Sequence, residues 1–251
     1  MAATSLITNT MNSLAHKVVI ATPRKWKRDG TKPGVILIPG TSETYTFSFL
    51  PTKGQPLMKQ LLDAGYPVAA FQASSTVGGA GDLWANDACY TMISAMRTYL
   101  QSSAVGAKAG KVGLVGLSQG ALDVLAWAGQ NPTLAGAVTA YLPNTDLAAS
   151  AANSTYGPSV NAAYGGKYVE GTHGANHNPI TQAGLGKFAG VPINLVYASN
   201  DPLIAYSYPQ SFAAAVGSNA VLINGGATGH DWPVTTGATA KAALLAQMAA
   251  I

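Results

Sequence analysis

The sequence predicts an α/β fold, built as a mostly parallel central sheet with helices on both faces, and three observations carry that prediction. Short apolar runs without polar alternation, such as Gly34-Val35-Ile36-Leu37-Ile38 and residues 111–117, read as strands buried on both faces. Between such runs lie segments whose apolar residues recur at helical spacing, and strands that alternate with helices make a parallel sheet. A length of 251 residues, 48% hydrophobic and only 10% charged, supplies a large core. It is too apolar for disorder, yet no uninterrupted apolar run is long enough to span a bilayer, so no transmembrane segment is expected.

In chain order, Val18-Val19-Ile20 reads as a strand. Arg24, Lys25, Lys27, Arg28 and Lys32 then crowd around Trp26, and Asp29-Gly30 signals a turn, so this stretch is expected to be a solvated hairpin loop between the first strands. The strand 34–38 follows and ends in Pro39-Gly40. Residues 56–64, with Leu57, Met58, Leu61 and Leu62 at helical spacing and Gly65 as a stop, predict the first crossover helix, and 66–71 return as a strand. After the Gly-rich stretch 78–81, Asp82 stands where an N-cap is wanted for a helix reaching Gln101, with Trp84, Ala88, Met92, Ala95, Met96 and Tyr99 in its pattern. Strand 111–117 runs straight into Ser118, and a helix over 121–128 is closed by Gly129 and Pro132.

Strand 135–142 ends the regular alternation. Over 143–187 the pattern dissolves into Asn, Ser, Gly, Ala and Tyr, which reads as an irregular insertion after strand 135–142. Its length exceeds that of an ordinary loop and suits a lid or a substrate-binding role. Strand 191–198, helix 206–216, strand 220–223 and an Ala-rich helix over 238–250 complete one domain covering 1–251, with no repeat or linker to divide it.

Several function classes are disfavoured. The net charge is +4, but only one short loop concentrates it, so no nucleic-acid partner is expected. Cys89 is the single cysteine, which excludes intrachain disulfides and a cysteine metal cluster. His173 and His177 stand four apart, but the glycine between them argues against a helix that presents both, so no metal is expected. Gly78-Gly79-Ala80-Gly81 lacks the spacing of a phosphate-binding fingerprint, so no nucleotide or other cofactor is expected. Residues 1–12 hold no Lys or Arg and no sustained apolar stretch, so a secretory signal is not expected; the location implied is cytoplasmic, or on a phage particle or released at lysis. Nothing in the sequence sets an oligomeric state.

The chemistry centres on Gly116-Leu117-Ser118-Gln119-Gly120, which fits G-x-S-x-G, where two glycines permit a tight strand-to-helix turn that lifts the serine hydroxyl above the sheet. The helix that follows points free amides toward that serine, where they can stabilise negative charge. On these residues the chain resembles the α/β-hydrolase superfamily from Val18 to the final helix. The Gln after the nucleophile makes the elbow similar to those of cutinases, acyl-protein thioesterases and the phage lysin B esterases of mycobacterial envelopes.

That resemblance implies a triad in the order Ser, acid, His. Among four histidines only His230, in Gly229-His230-Asp231-Trp232, follows the last predicted strand, and it is the expected general base. Asp201, in Ser199-Asn200-Asp201-Pro202, ends a strand at the sheet edge that feeds the active crevice, and it is the expected acid. Asp146, after the preceding strand, is the alternative, and a turn-forming Asp before proline is the non-catalytic reading of Asp201. The resemblance assigns oxyanion donors to the amides of Gln119 and Thr41, with Ser42 as the alternative to Thr41; the loop has Pro39 where many esterases have His.

Tyr141, Tyr156, Tyr164 and Tyr168 fit either sugar-stacking and acyl-pocket roles or the anchoring of a polar loop; Tyr156, Tyr164, Ser42 and Trp232 are the expected substrate contacts. The activity implied is hydrolysis of a carboxylic ester through an acyl-enzyme, on a small ester or an acylated glycan or lipid such as a cell-envelope ester. Its rate should drop in acid as His230 takes a proton. Two rivals remain: an amidase or peptidase with the same triad, and a noncatalytic surface or virion module that keeps the fold.

Overall fold

The computed structural model describes residues 7–10, 17–41, 43–71 and 83–251, with backbone alone for 7–10 and 17. Its strands are β1 (Ile7–Thr10), β2 (Lys17–Ala21), β3 (Val35–Ile38), β4 (Val68–Phe71), β5 (Val112–Leu117), β6 (Ala135–Tyr141), β7 (Ile193–Tyr197) and β8 (Ala220–Asn224). They form one sheet in the order β1-β2-β4-β3-β5-β6-β7-β8. β1 and β2 pair antiparallel, as do β2 and β4, and every other pairing is parallel. The α/β architecture expected from the alternation of strands and helices is therefore present.

The missing alternation in the central strands has a direct cause. In β3, Ile36 and Ile38 belong to the same buried cluster as Met92, Val124 and Phe212, whereas Val35 and Leu37 belong to another with Leu61 and Leu244. The first group brings α2 (Asp87–Gln101), α3 (Gln119–Gln130) and α8 (Ser207–Val216) onto one face; the second brings α1 (Gln55–Asp63) and α9 (Ala238–Ala249) onto the other. With both faces covered, a polar residue at either phase of the strand would be desolvated, so neither phase carries one.

Four expectations need correction. The basic stretch is not a hairpin, because β2 pairs with β1 and β4 while β3 lies between β4 and β5. It lies instead against the segment after α2, where the Trp26 indole donates to the Val105 carbonyl at 2.6 Å and the Gly30 amide to Gly106 at 3.1 Å. β1 adds a strand in a stretch whose sequence lacks a β pattern.

The long helix begins at Asp87, with Asn86 as its cap accepting from the Cys89 amide at 3.0 Å. Trp84 and Ala85 sit at φ 40° and 55°, and no right-handed helix passes through such residues. Asp82 and the glycines of 78–81 lie outside the described residues.

The stretch 143–187 is not irregular: it holds α4 (Leu147–Ala152), α5 (Gly157–Ala163), α6 (Glu170–His177) and α7 (Pro179–Gly184). Helices this short depend on tertiary contacts. His173 and His177 do share a helix, because Gly174 makes room for the Glu170 carboxylate; a Cβ there would meet Oε1 at 1.9 Å. That carboxylate accepts from Tyr168 and Thr181 at 2.5 Å each and from Asn178 at 3.0 Å. A third cluster, with Trp84, Leu122, Ala126, Leu147, Val160 and Tyr168, seats the insertion on α3. Among the described residues no helix is long and apolar enough to cross a membrane, and no group of three metal-ligating side chains occurs.

Candidate active site

β5 ends at Leu117 and α3 starts at Gln119, which leaves Ser118 alone to make the turn. It does so at φ 54°, ψ −115°, a conformation that residues with a side chain rarely adopt. Its amide donates to the Tyr141 carbonyl of β6 at 2.9 Å, so the strand ladder continues up to the turn. Both glycines of the motif are sterically required. A Cβ on Gly116 would stand 2.2 Å from the Gly120 carbonyl oxygen, and one on Gly120 would stand 2.3 Å and 2.4 Å from the carbonyl oxygens of Ile38 and Pro39. The turn thus packs backbone on backbone against the end of β3.

His230 reaches this hydroxyl from the loop after β8. Its Nε2 accepts from Ser118 Oγ at 2.8 Å and its Nδ1 donates to Asp201 Oδ2 at 2.7 Å. Asp201 stands after β7, its side chain only 4% exposed against 13% for His230. Its other oxygen accepts from the amides of Leu203 at 2.8 Å and Ile204 at 2.9 Å, which fixes the carboxylate plane. The two loops are tied together by Asn200, whose Oδ1 accepts from the Gly229 amide at 2.7 Å. A proton on Nδ1 facing the carboxylate leaves Nε2 with a free lone pair, which is the tautomer able to take a proton from Oγ.

Asp146, the alternative acid, is occupied elsewhere: it caps α4, accepting from the amides of Ala148 and Ala149 at 2.9 and 3.1 Å, and accepts from Asn178 at 3.2 Å. His173 and His177 are turned to the insertion. His173 Nδ1 accepts from the Val169 amide at 2.9 Å, while His177, its basicity lowered by burial, donates to the Ala85 carbonyl at 2.7 Å.

A cavity of about 270 Å³ opens over Ser118 and His230. Thr41, Tyr156 and Trp232 line it, as do Glu43, Lys53, Leu203 and Asp231, which sequence reasoning did not single out. Trp232 forms a wall: it is buried, stacked on Phe47 at 5.3 Å, and its indole donates to Glu43 at 2.9 Å. Tyr164 is not among the lining residues. Its hydroxyl donates to the Trp84 carbonyl at 2.9 Å and its ring packs on Tyr168, His173 and His177, so it anchors the insertion, and burial pushes its phenol far up. Tyr168 anchors the same cluster, and Tyr141 is buried in the sheet core. Ser42 lies outside the described residues.

Gln119 opens α3, so its amide is among those at the helix start that no intrahelical carbonyl accepts. The Gly40 amide is taken by Glu43 Oε2 at 3.2 Å. Glu43 was visible only as one of ten acidic residues, and its distance of three positions beyond Gly40 was the signal available.

No protein-family model and no curated protein matches the sequence. The fold, in contrast, has solved counterparts at low identity. An S-formylglutathione hydrolase from Agrobacterium tumefaciens superposes with a TM-score of 0.76 at 15% identity, covering 99% of this chain and 95% of its own. The fluorophosphonate-binding serine hydrolase FphF of Staphylococcus aureus gives 0.73 at 14%, with 98% of each chain covered. The Pyrococcus furiosus esterase Pf2001 gives 0.67 at 17%, over 99% of this chain and 92% of that one. By its strand order, its parallel core and these superpositions, the chain has the α/β-hydrolase fold.

Proposed function

We propose that the protein is a serine hydrolase that cleaves carboxylic esters through an acyl-enzyme, with Ser118 as nucleophile, His230 as general base and Asp201 as the residue that orients it. The observation that carries this reading is the unbroken hydrogen-bonded chain Oγ to Nε2 and Nδ1 to Oδ2, at 2.8 and 2.7 Å, on the floor of an open cavity.

Oγ attacks the ester carbonyl as Nε2 takes its proton. The amides of Gln119 and Thr41 hold the resulting oxyanion, and Nε2 returns the proton to the departing alcohol as the C–O bond breaks. Water, deprotonated by the same nitrogen, then releases the acid and restores Ser118. Asp201 holds the imidazole in the productive tautomer.

The cavity volume lies just below the range of about 300–1,000 Å³ usual for ligand pockets, which favours a short acyl group. Tyr156, at the start of the insertion, and Trp232 form its walls, so the 143–187 segment acts here as a substrate wall. The solved counterparts named hydrolases and esterases agree with ester cleavage, and the elbow's likeness to lysin B enzymes makes cell-envelope esters the first natural substrates to assay. Fluorophosphonate labelling tests the reading: reaction at Ser118, lost in Ser118→Ala, together with turnover of short p-nitrophenyl esters, is expected. A folded protein that is neither labelled nor active would refute it and favour a noncatalytic module, and faster cleavage of matched anilides than of esters would favour the amidase.

A further inference from the structure

We infer that Glu43 is a positioning residue that holds the oxyanion loop and the turn after His230 in one geometry; this rests on the serine-hydrolase reading of the site. Its side chain is 12% exposed and accepts from three donors on three separate stretches of chain. Oε2 accepts from the Gly40 amide at 3.2 Å, and Oε1 accepts from Lys53 Nζ at 2.7 Å and from the Trp232 indole at 2.9 Å. A carboxylate so withdrawn from water is tolerated only where donors replace its hydration, and charge-assisted bonds of this kind are the strong ones.

What the three donors connect makes the residue more than a surface ion pair. Gly40 lies over the nucleophile, since a Cβ built on it would stand 3.5 Å from Ser118 Cβ, and Thr41 follows it directly. Trp232 comes two residues after His230 and is held on its other side by the stack on Phe47, in the 3-10 turn Tyr45–Phe49 that follows Glu43 in the chain. Glu43 therefore closes a ring that runs from the oxyanion loop to the loop of the base and back. Lys53 alone would satisfy a structural ion pair; the bond from Oε2 to Gly40 is the part that reaches the reacting centre.

Glutamine has the same shape but cannot replace this pattern. With its oxygen toward Lys53 and Trp232 its NH₂ faces the Gly40 N–H, and turned over it faces two donors instead of one. The oxyanion loop should then relax by a fraction of an ångström, which leaves substrate binding largely intact and harms the step in which charge develops.

The test is steady-state hydrolysis of p-nitrophenyl acetate by the full chain, with circular dichroism to verify folding. Glu43→Gln should lower kcat by roughly 10- to 100-fold with KM changed less than about threefold. Trp232→Phe keeps the stack but removes one donor and should also lower kcat. In the double variant the loss should fall well short of the product of the two single losses. Should Glu43→Gln fail to fold, Glu43→Asp, which keeps the charge but shortens its reach to the Gly40 amide, carries the same kcat-against-KM split. An active wild type with an unchanged kcat in these variants, or with losses that simply multiply, overturns the inference alone. A wild type that neither turns over the ester nor labels with fluorophosphonate overturns the hydrolase reading, and this inference falls with it.

Discussion

Ser118→Gly should be more stable than Ser118→Ala, although both lose the same hydroxyl. Ser118 holds φ 54°, ψ −115°, and its side chain makes no capping bond to α3, so its loss leaves the helix start as it was. Alanine keeps a Cβ in this conformation and retains the strain, which for such backbone outliers is about 1–3 kcal/mol. Glycine relieves it but gives up roughly 0.5–1 kcal/mol in unfolded-chain entropy. The net advantage of glycine over alanine is then about 1 kcal/mol, which at this chain length corresponds to roughly 2–4 °C in Tm. Scanning calorimetry of the two variants side by side measures it, since the shared loss of Oγ cancels. A glycine variant that melts at or below the alanine variant would refute the idea that the fold holds this turn against its preference.

Asp201→Asn should leave the fold and the cavity intact yet cut kcat by about 10⁴-fold, because the amide favours the wrong imidazole tautomer; ester turnover at fixed pH reads it. Gly120→Ala should abolish activity and lower stability by several kcal/mol, on the order of a severe overpacking defect, because its Cβ would meet two backbone carbonyls and not a flexible side chain; denaturant unfolding and ester turnover read both. Stability should decline in alkali. Burial raises the phenols of Tyr90, Tyr141, Tyr164 and Tyr168 and, with the Asp123 charge, the Cys89 thiol, so the folded chain keeps protons that the unfolded chain releases. The sign follows: their stabilisation is complete below the unfolded values, about 8.5 for Cys and 10 for Tyr, and is lost as pH rises above them. Urea midpoints from pH 7 to 11 would show this, and a flat curve would contradict it.

Much of the site was legible because its chemistry is local. The G-x-S-x-G spacing needs only a strand, a turn and a helix in succession, and Gly116 meets backbone of the motif itself, whereas Gly120 meets the distant end of β3. Asp201 and His230 could be placed because parallel strands deliver their C-terminal ends to one rim, so position in the strand order stands in for position in space. What escaped the sequence depends on distant partners. Glu43 becomes significant only beside Lys53 and Trp232, ten and 189 positions away. The helices of the insertion are short and depend on tertiary partners: Glu170 of α6 finds Tyr168, Asn178 and Thr181, and Ser159 of α5 accepts from the Trp84 indole. Tyr156 and Tyr164 look alike in sequence, yet one lines the cavity and the other spends its hydroxyl on Trp84.

The strain at Ser118 persists because α3 leaves it no alternative. Every residue from Gln119 to Gly129 is buried, so the helix can neither slide nor tilt to give the serine an easier conformation. The same helix carries Asp123, whose Oδ1 accepts from the Ala85 amide at 2.7 Å, while His177 of α6 holds the Ala85 carbonyl at 2.7 Å and Gln182 of α7 donates to the Ala126 carbonyl at 3.1 Å. Two further positive-φ residues, Trp84 and Ala85, are thus pinned between α3 and the insertion. Through these bonds the 143–187 segment braces the helix that follows Ser118, and Tyr156 of the same segment lines the cavity. We propose that a segment bonded this way at its root serves as a fixed wall over Ser118 and not as a hinged lid, because a lid would have to break these bonds to α3 and Ala85.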